Sequence, residues 1–324
     1  MLKNDPKEQP QTPQRGALDP LSPPSPSTTN PWLDRTLPAE ARLESYRSVI
    51  KAEGHDLLER VNKATVEEFN RLENAPETQR IMRELEWLKT VTPTDFCKEM
   101  DRREQLPREL LGKNFLGAEA WKSQGIDVGA EPALPATITE ELLNSECPLN
   151  PGEKIKDTHL LVLIPKTVNG EPYTALKLDE LCATRKGSGW SLIYDGFRSW
   201  KEQPWASQQQ VQSEWVLIPK SDPDPNKVSE DKLFRFKNIA AQQKVHEEHY
   251  PEYREVKTLE LMTAVLLCDL TNKEGLVPDY LRCEEPNASG GRVCVGNFSA
   301  FGLWVCGDHD VFQFGYIGRA LARK

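Results

Sequence analysis

The sequence predicts an α+β protein in which a helical region precedes a domain of short strands and a few helices. Three observations support this prediction. Residues 1–31 are rich in Pro, Ser, Thr and Gln, residues 40–105 carry apolar side chains at three- and four-residue steps, and short β-branched runs recur after residue 150. Helical periodicity followed by strands that do not alternate regularly with helices is typical of α+β chains. We therefore divide the chain into residues 1–31, 32–150 and 151–324.

The first segment, residues 1–31, is expected to be a disordered tail. Its composition cannot bury enough apolar surface to offset the conformational entropy of the chain. Its first ten residues are charged and contain no apolar stretch of the kind found in signal peptides. We therefore expect no signal peptide and, by default, a cytoplasmic location.

The overall composition limits the partners and cofactors of the chain. The net charge of −9 leaves no basic surface for phosphates, so nucleic-acid binding is not expected. No apolar run approaches the roughly 20 residues that span a bilayer, so no membrane span is expected. The seven cysteines form no Cys-x-x-Cys pair, which favours buried, reduced thiols over a metal site or redox motif. Neither a cofactor nor a metal is predicted.

Residues 32–150 are predicted to be helical and then linker-like. Apolar stripes continue from residue 43 to residue 72, Pro76 is placed to begin another helix, and residues 94–104 form a further short one. The stripes predict a helical hairpin or a coiled coil, and self-association through residues 40–105 is one expected use. The heptad pattern extends over too few repeats to favour the coiled coil over the hairpin. The Gly and Pro residues of segment 112–135 predict an irregular linker.

The third segment, from residue 151, is predicted to contain strands and helices in mixed order. Strands are expected at 159–164, 189–197 and 214–218, and helices at 178–182 and 238–249. A strongly apolar helix is expected from a Thr258 cap to Leu270, with Gly275 ending it. Short strands and Gly-rich turns follow to the end of the chain. The pentapeptide Val-Leu-Ile-Pro-Lys occurs at both 162–166 and 216–220, which we interpret as coincidence.

Three clusters of residues could have a chemical or binding role. His246 and His249 lack the His-Glu-x-x-His spacing of zinc peptidases, which favours a solvated, charge-rich helix end. Adjacent residues on a strand point to opposite faces, so Asp308, His309 and Asp310 would not converge on one ion there. The four tryptophans at 190, 200, 205 and 215 are expected to belong to the core rather than to a binding surface.

The C-terminal half resembles a known family. The stretch 152–172 has a strand that ends in Pro and leads into an Asn-Gly-x-Pro turn, and the likeness continues through 215–220 and the helix at 259–270. It also covers segments 280–284, 293–298, 302–305 and 317–324, about half of the chain. These residues are similar to the formylglycine-generating-enzyme-like branch of the C-type-lectin-like fold, and to the variable proteins of diversity-generating retroelements that use it. The final Arg-Ala-Leu-Ala-Arg-Lys departs from the family's usual ending.

The resemblance implies a C-type-lectin-like domain that follows the helical region and the tail. In this family an error-prone reverse transcriptase rewrites a C-terminal variable region, which here would cover residues 297–323. The implied framework is Gly296, Gly302, Leu303, Val305, Ile317, Gly318 and Ala320. The implied ligand-binding side chains, hereafter the display face, are Phe298, Phe301, Trp304, Cys306, Asp308, His309, Asp310, Phe312, Phe314 and Tyr316.

The expected function is therefore the binding of an unidentified protein or glycan partner, without catalysis. Aromatic rings beside adaptable polar groups suit recognition, because rigid rings supply contact area at little entropic cost. One alternative is a formylglycine-generating-type oxidase that uses Cys294 or Cys306, for which only His309 lies nearby in sequence as an activating base. A second alternative is a structural interaction protein that acts through its helical region.

Overall fold

The computed structural model describes residues 36–73, 75–184, 193–195, 200–272, 276, 280–287, 290–299, 302–308 and 317–323. The expected tail 1–31 lies outside these residues. The described chain is a mixture of helices and strands, as the sequence predicted. Within the described ranges, no helix has both the length and the apolar character needed to cross a membrane.

The α-helices of the described residues are α1 (Ala39–Lys63), α2 (Val66–Glu73), α3 (Pro76–Trp87), α4 (Pro93–Leu111), α5 (Ala118–Ser123), α6 (Glu140–Asn144), α7 (Ile155–Thr158), α8 (Ala175–Thr184), α9 (Ile239–His249) and α10 (Thr258–Asn272). The strands are β1 (Phe115–Leu116), β2 (Glu146–Cys147), β3 (Asn150–Lys154), β4 (His159–Ile164), β5 (Thr167–Val168), β6 (Glu171–Pro172), β7 (Ile193–Asp195), β8 (Glu214–Pro219), β9 (Tyr253–Glu255), β10 (Tyr280–Pro286), β11 (Arg292–Ser299), β12 (Gly302–Asp308), β13 (Ile317–Arg319) and β14 (Leu321–Arg323).

Helices α1, α3 and α4 form a small core of their own. The buried apolar residues of this core are Leu43, Tyr46, Ile50, Leu88, Phe96 and Met100. Pro76 occupies the first turn of α3, as predicted, since proline lacks only an N–H that would have no partner there. The side chain of Thr92 caps α4 by accepting the backbone N–H of Asp95 at 3.2 Å. A salt bridge from Arg108 of α4 to Glu131 connects these helices to the segment that follows.

The first sheet has the strand order β1-β4-β8-β14-β9. Strand β4 has the bounds that the sequence predicted, and all six of its residues are buried. It pairs antiparallel with β8, with Val162 opposite Val216. The two copies of the Val-Leu-Ile-Pro-Lys sequence therefore lie on adjacent central strands, where continuous apolar runs are expected because both faces are covered.

The second sheet has the strand order β13-β10-β11-β12-β7, and the C-terminal strands connect it to the first. Strand β13 pairs in parallel with β10, whereas β14 pairs antiparallel with both β8 and β9. Ala320 lies between β13 and β14. Its N–H donates to Arg282 O at 2.9 Å, and its carbonyl accepts the N–H of Val256 at 3.2 Å. The last residues thus hold the two sheets together through backbone hydrogen bonds.

Helix α10 packs between the sheets, in contact with β4 and β8 of one and β10 and β11 of the other. The sequence predicted Thr258 as its cap, but Thr258 is already the first helical residue. The N–H and hydroxyl of Thr258 both donate to Glu285 of β10, each at 2.7 Å, and the N–H of Lys257 donates to Glu260 at 3.0 Å. Two carboxylates therefore bind the helix N-terminus, where the helix dipole favours negative charge.

The predicted linker at 112–135 is wrong in part, because much of this segment is packed. Strand β1 pairs in parallel with β4, and Trp121 of α5 is 1% exposed and donates its indole N–H to Leu163 O at 3.1 Å. Ile126 also belongs to the main core. Glycine and proline interrupt the periodic pattern, yet tertiary contacts order the chain between them. The first sheet consequently begins at Phe115, upstream of the boundary drawn at residue 151.

Candidate functional site

The described part of the display face lies on the antiparallel pair β11–β12. Trp304 and Cys306 are half-buried, whereas Leu303 and Val305, which alternate with them along β12, are both 0% exposed and belong to the main core. Successive side chains of a strand point to opposite faces of the sheet. One face of β12 therefore packs on the core that includes α10, and the other carries Trp304 and Cys306 and is partly open.

The implied framework residues are buried in the structure. Gly296 and Gly302 are buried, and so are Ile317, Gly318 and Ala320 at the junction of the two sheets. Asp308 ends β12 opposite Arg292, and Ile317 begins β13 opposite Tyr280. The strands on either side of residues 309–316 thus belong to one sheet, with β10 and β11 between them.

The remaining display-face residues divide into two groups. Phe298 lies in β11 and Asp308 lies in β12. Phe301, His309, Asp310, Phe312, Phe314 and Tyr316 lie outside the described residues. The structure therefore brings Trp304, Cys306 and Asp308 together on one strand.

Beside this partly open area, the same face of the sheet is closed by buried arginines. Arg282 of β10 lies opposite Cys294, and Arg319 of β13 lies opposite Arg282. They are 2% and 4% exposed. Arg282 donates to Lys237 O at 3.0 Å, and Arg319 pairs with Glu255 and donates to Gln243 of α9. Burial lowers the pKa of Arg319 below its ordinary value, against the opposing effect of Glu255.

Sequence reasoning did not identify this arginine pair, since single charged residues in short strands carry no periodic signal. Its chemical role in the structure is to fix α9 and the preceding loop against the second sheet. Gln242 of α9 adds to this by donating to Phe234 O at 2.8 Å and to Ile317 O at 3.3 Å. The covered part of the face is thereby separated from the open part around Trp304 and Cys306.

The C-terminal cysteines occupy three different environments. Cys283 is 1% exposed in the main core, and burial raises the pKa of its thiol well above the ordinary value. Cys294 is also 1% exposed, whereas Cys306 is half-buried. Cys294 and Cys306 lie directly opposite each other in the β11–β12 register. His309, which the oxidase alternative would use as a base, lies outside the described residues.

Two other sequence candidates have structural roles. The predicted solvated helix end is wrong for His246, which is 8% exposed, with its Nε2 within 2.9 Å of Tyr253 O. His249 instead pairs with Asp231 at 3.5 Å.

Trp200 is 3% exposed and stacks on Trp205 with ring centroids 5.7 Å apart, in agreement with the predicted core role. Trp215 also packs against the core, and Trp190 lies outside the described residues.

A shallow depression of about 420 Å³ lies near the start of β4. Its charged lining residues are Glu153, Asp157, Lys220, Asp222, Asp224 and Arg235. Throughout the described ranges, no three His, Cys, Asp or Glu side chains are arranged to hold a metal ion. Two of the charged lining residues, Arg235 and Asp222, pair with each other at 3.8 Å.

The fold and these sites define a mixed helix-and-strand protein with a partly open strand pair at its C-terminal sheet. In comparisons with models of protein families, with curated proteins and with solved structures, nothing matches the chain. The class of function is therefore inferred from the site itself.

Proposed function

We propose that the chain is a ligand-binding protein of the C-type-lectin-like class, in which a diversified C-terminal surface contacts a protein or glycan. The display face would be the binding surface, and the buried residues beneath it would be the constant framework. No catalytic residue, metal or cofactor belongs to this proposal.

The alternation of burial along β12 is the observation that carries the proposal. Leu303 and Val305 are fully buried, while Trp304 and Cys306 on the opposite side are half-buried. Side chains that contribute little to the core are free to change without loss of the fold, so variable positions belong on such a face. A surface that is to be diversified requires this separation of packing residues from contact residues.

The chemistry of the display face suits recognition. It combines six aromatic rings of Phe, Tyr and Trp with two aspartates, a histidine and a thiol. Aromatic side chains dominate binding energies, because they bury large areas while losing few rotamers. Aspartate and histidine supply hydrogen bonds that set specificity for a polar partner.

Retroelement diversification leaves a genomic record, which is the first test. The proposal requires a near-copy of the segment that encodes residues 297–323, with mismatches confined to adenines, beside a reverse transcriptase gene. A complete genome that encodes this chain without such a repeat would remove the diversification part of the proposal and leave the binding part.

A surface that is to be diversified must tolerate change without loss of the fold, and this requirement is tested with two matched libraries displayed on phage or yeast. One library randomises the display-face codons, and the other randomises the framework codons. We expect most display-face clones to remain resistant to protease and most framework clones to be digested. Equal loss of resistance in both libraries would show that the display face is part of the core, and the proposal would be abandoned.

The helical region would tether the binding domain or join copies of it. Leu58 of α1, Phe69 of α2 and Met82 of α3 are exposed apolar side chains, with exposures of 59%, 41% and 59%. Exposed apolar groups on adjacent helices favour association. Light scattering on the full chain should give a mass above that of a monomer, and Leu58→Glu with Met82→Glu should reduce it. A monomeric parent protein would contradict this use of the helices.

A further inference from the structure

The register of β11 and β12 places two cysteines side by side. Cys294 and Cys306 are direct partners in this antiparallel pair. Cα atoms of direct partners lie about 4.5 or 5.5 Å apart, depending on the hydrogen-bonding pattern. A disulfide requires a Cα–Cα distance of about 4.4–6.8 Å, so either kind of partner position is compatible with a bond.

The neighbouring cysteine is not in a position to compete. Cys283 lies on the adjacent strand β10, one residue after Arg282, and Arg282 is the direct partner of Cys294. Adjacent residues of a strand point to opposite faces, so Cys283 faces away from Cys294. In agreement, Cys283 packs in the main core, on the side of Val293 and Val305.

The two thiols differ in their access to solvent. Cys306 is half-buried, and Cys294 is 1% exposed. A dissolved oxidant would therefore reach Cys306 first, and Cys294 would then be the nearest thiol to react with it. An accessible thiol beside a second, resolving thiol is the arrangement that redox-responsive cysteines use.

We propose that Cys294 and Cys306 are a peroxide-sensitive thiol pair that forms a reversible cross-strand disulfide. The Cys306 sulfur first attacks hydrogen peroxide, which breaks the O–O bond and gives the sulfenic acid and water. The Cys294 sulfur then attacks the Cys306 sulfur, which forms the S–S bond and releases a second water. The two thiols together lose two electrons and two protons to one peroxide, and a thiol reductant reverses the change.

The bond would close a covalent loop around residues 295–305. This loop contains Phe298, Phe301 and Trp304 of the display face, so oxidation would restrict the segment of chain that carries them. The inference does not depend on the proposed binding function, because it follows from the register and the difference in exposure alone.

The test uses the full-length protein and peroxide as the probe. Folded, reduced protein is treated with hydrogen peroxide, remaining thiols are alkylated, and the protein is digested with chymotrypsin. Cleavage after Phe298 and Phe301 separates the two cysteines, so mass spectrometry detects the bond as a linked pair of peptides. We expect the 294–306 link as the main product, lost on treatment with a thiol reductant.

Three controls make this result specific. The same oxidation in urea should spread the links over several of the seven cysteines, because the register no longer selects one pair. Cys97→Ser removes another half-buried thiol and should leave the link intact. Cys294→Ser should leave Cys306 without its partner and allow oxidation to the sulfinic acid.

Several outcomes would overturn the inference, and all can be read from the parent protein alone. Oxidation of Cys306 to the sulfinic acid while Cys294 remains a thiol is one of them. A Cys306 link to any other cysteine is another. The inference is equally overturned if the 294–306 link forms only in urea.

Discussion

The carboxylate of Asp222 lies directly against the backbone of Gly318. It accepts the N–H of Arg319 at 3.3 Å, and a Cβ atom on residue 318 would overlap its oxygens. The side chain of Asp222 is 5% exposed and is also paired with Arg235. This contact fixes the loop after β8 to β13, so the glycine is required by close approach of a side chain.

Gly318→Ala should destabilise the protein by about 2–3 kcal/mol, because the added methyl group forces the buried carboxylate to move. Urea unfolding followed by circular dichroism measures this loss. Asp222→Ala removes the obstruction, so Gly318→Ala should cost less in that background than alone.

Gly54→Ala is the matched control for this substitution. A Cβ at Gly54 would meet Leu85 at 3.5 Å, an ordinary contact, within the interior of α1. Alanine there should raise the stability by about 0.5–1 kcal/mol through helix propensity. Equal effects of alanine at the two glycines would refute the close-approach explanation.

An aspartate should prevent folding at Leu303 of β12 and be tolerated at the adjacent Trp304. Leu303→Asp places a carboxylate in the core and should cost more than about 4 kcal/mol, enough to prevent folding. Trp304→Asp should leave a folded protein, because residue 304 lies on the partly open side of the strand. Circular dichroism and gel filtration distinguish the two results. An unfolded Trp304→Asp would mean that this side of β12 belongs to the core.

The salt bridge between Glu84 and Arg103 in the helical core should contribute to the stability of the protein. Glu84 has a side-chain exposure of 12%, pairs with Arg103 at 2.7 Å and accepts the Tyr46 hydroxyl at 3.1 Å. Burial and the nearby Glu84 charge raise the pKa of Tyr46. Arg103→Ala leaves the Glu84 carboxylate without its cation and should cost about 2 kcal/mol, somewhat less than for a fully buried pair.

Arg102 on the same helix is the control for Arg103. Its side chain is 54% exposed and pairs with Glu99 on the surface. Arg102→Ala should therefore cost less than about 1 kcal/mol. Chemical unfolding of both variants gives the comparison, and equal losses would contradict a special role for the partly buried pair.

His159 should make stability depend on pH. It is fully buried between Thr158 and Tyr253, with ring-nitrogen distances of 2.9 and 3.0 Å to their hydroxyls. Burial lowers its pKa from 6.5 to about 3, with a further contribution from Arg323. The unfolded chain therefore binds a proton between pH 6.5 and about 3 while the folded chain does not, so stability falls as pH decreases through this range.

The contribution of His159 can be isolated by substitution. It should approach about 1.4 kcal/mol per pH unit within that window and be constant above pH 7. His159→Gln should flatten the dependence in urea unfolding between pH 7 and pH 4. His55→Gln, which alters an exposed histidine on α1, should not change it. Identical slopes for the parent and His159→Gln would show that the ring does not titrate as proposed.

Local elements were largely predictable, because their signals lie within a few residues. Pro76 begins α3, α9 lies within the predicted range 238–249, and β4 spans its apolar run. The failures occurred where distant residues decide the structure. Trp121 is ordered by its contact with β4 and not by its own Gly- and Pro-containing segment. The N-terminus of α10 is bound by Glu285 of β10.

The sequence by itself determined helices α3, α9 and α10 and strands β4 and β8, and the resemblance placed Leu303 and Val305 together in the framework. Side-chain periodicity and end-capping are properties of consecutive residues, so they can be recognised without a partner. Only the tertiary structure decided that strands β13 and β14 join the two sheets, that Cys294 lies opposite Cys306, and that the Asp222 carboxylate lies against Gly318. These relationships depend on strand register across long separations, which is set by the packing of the whole core.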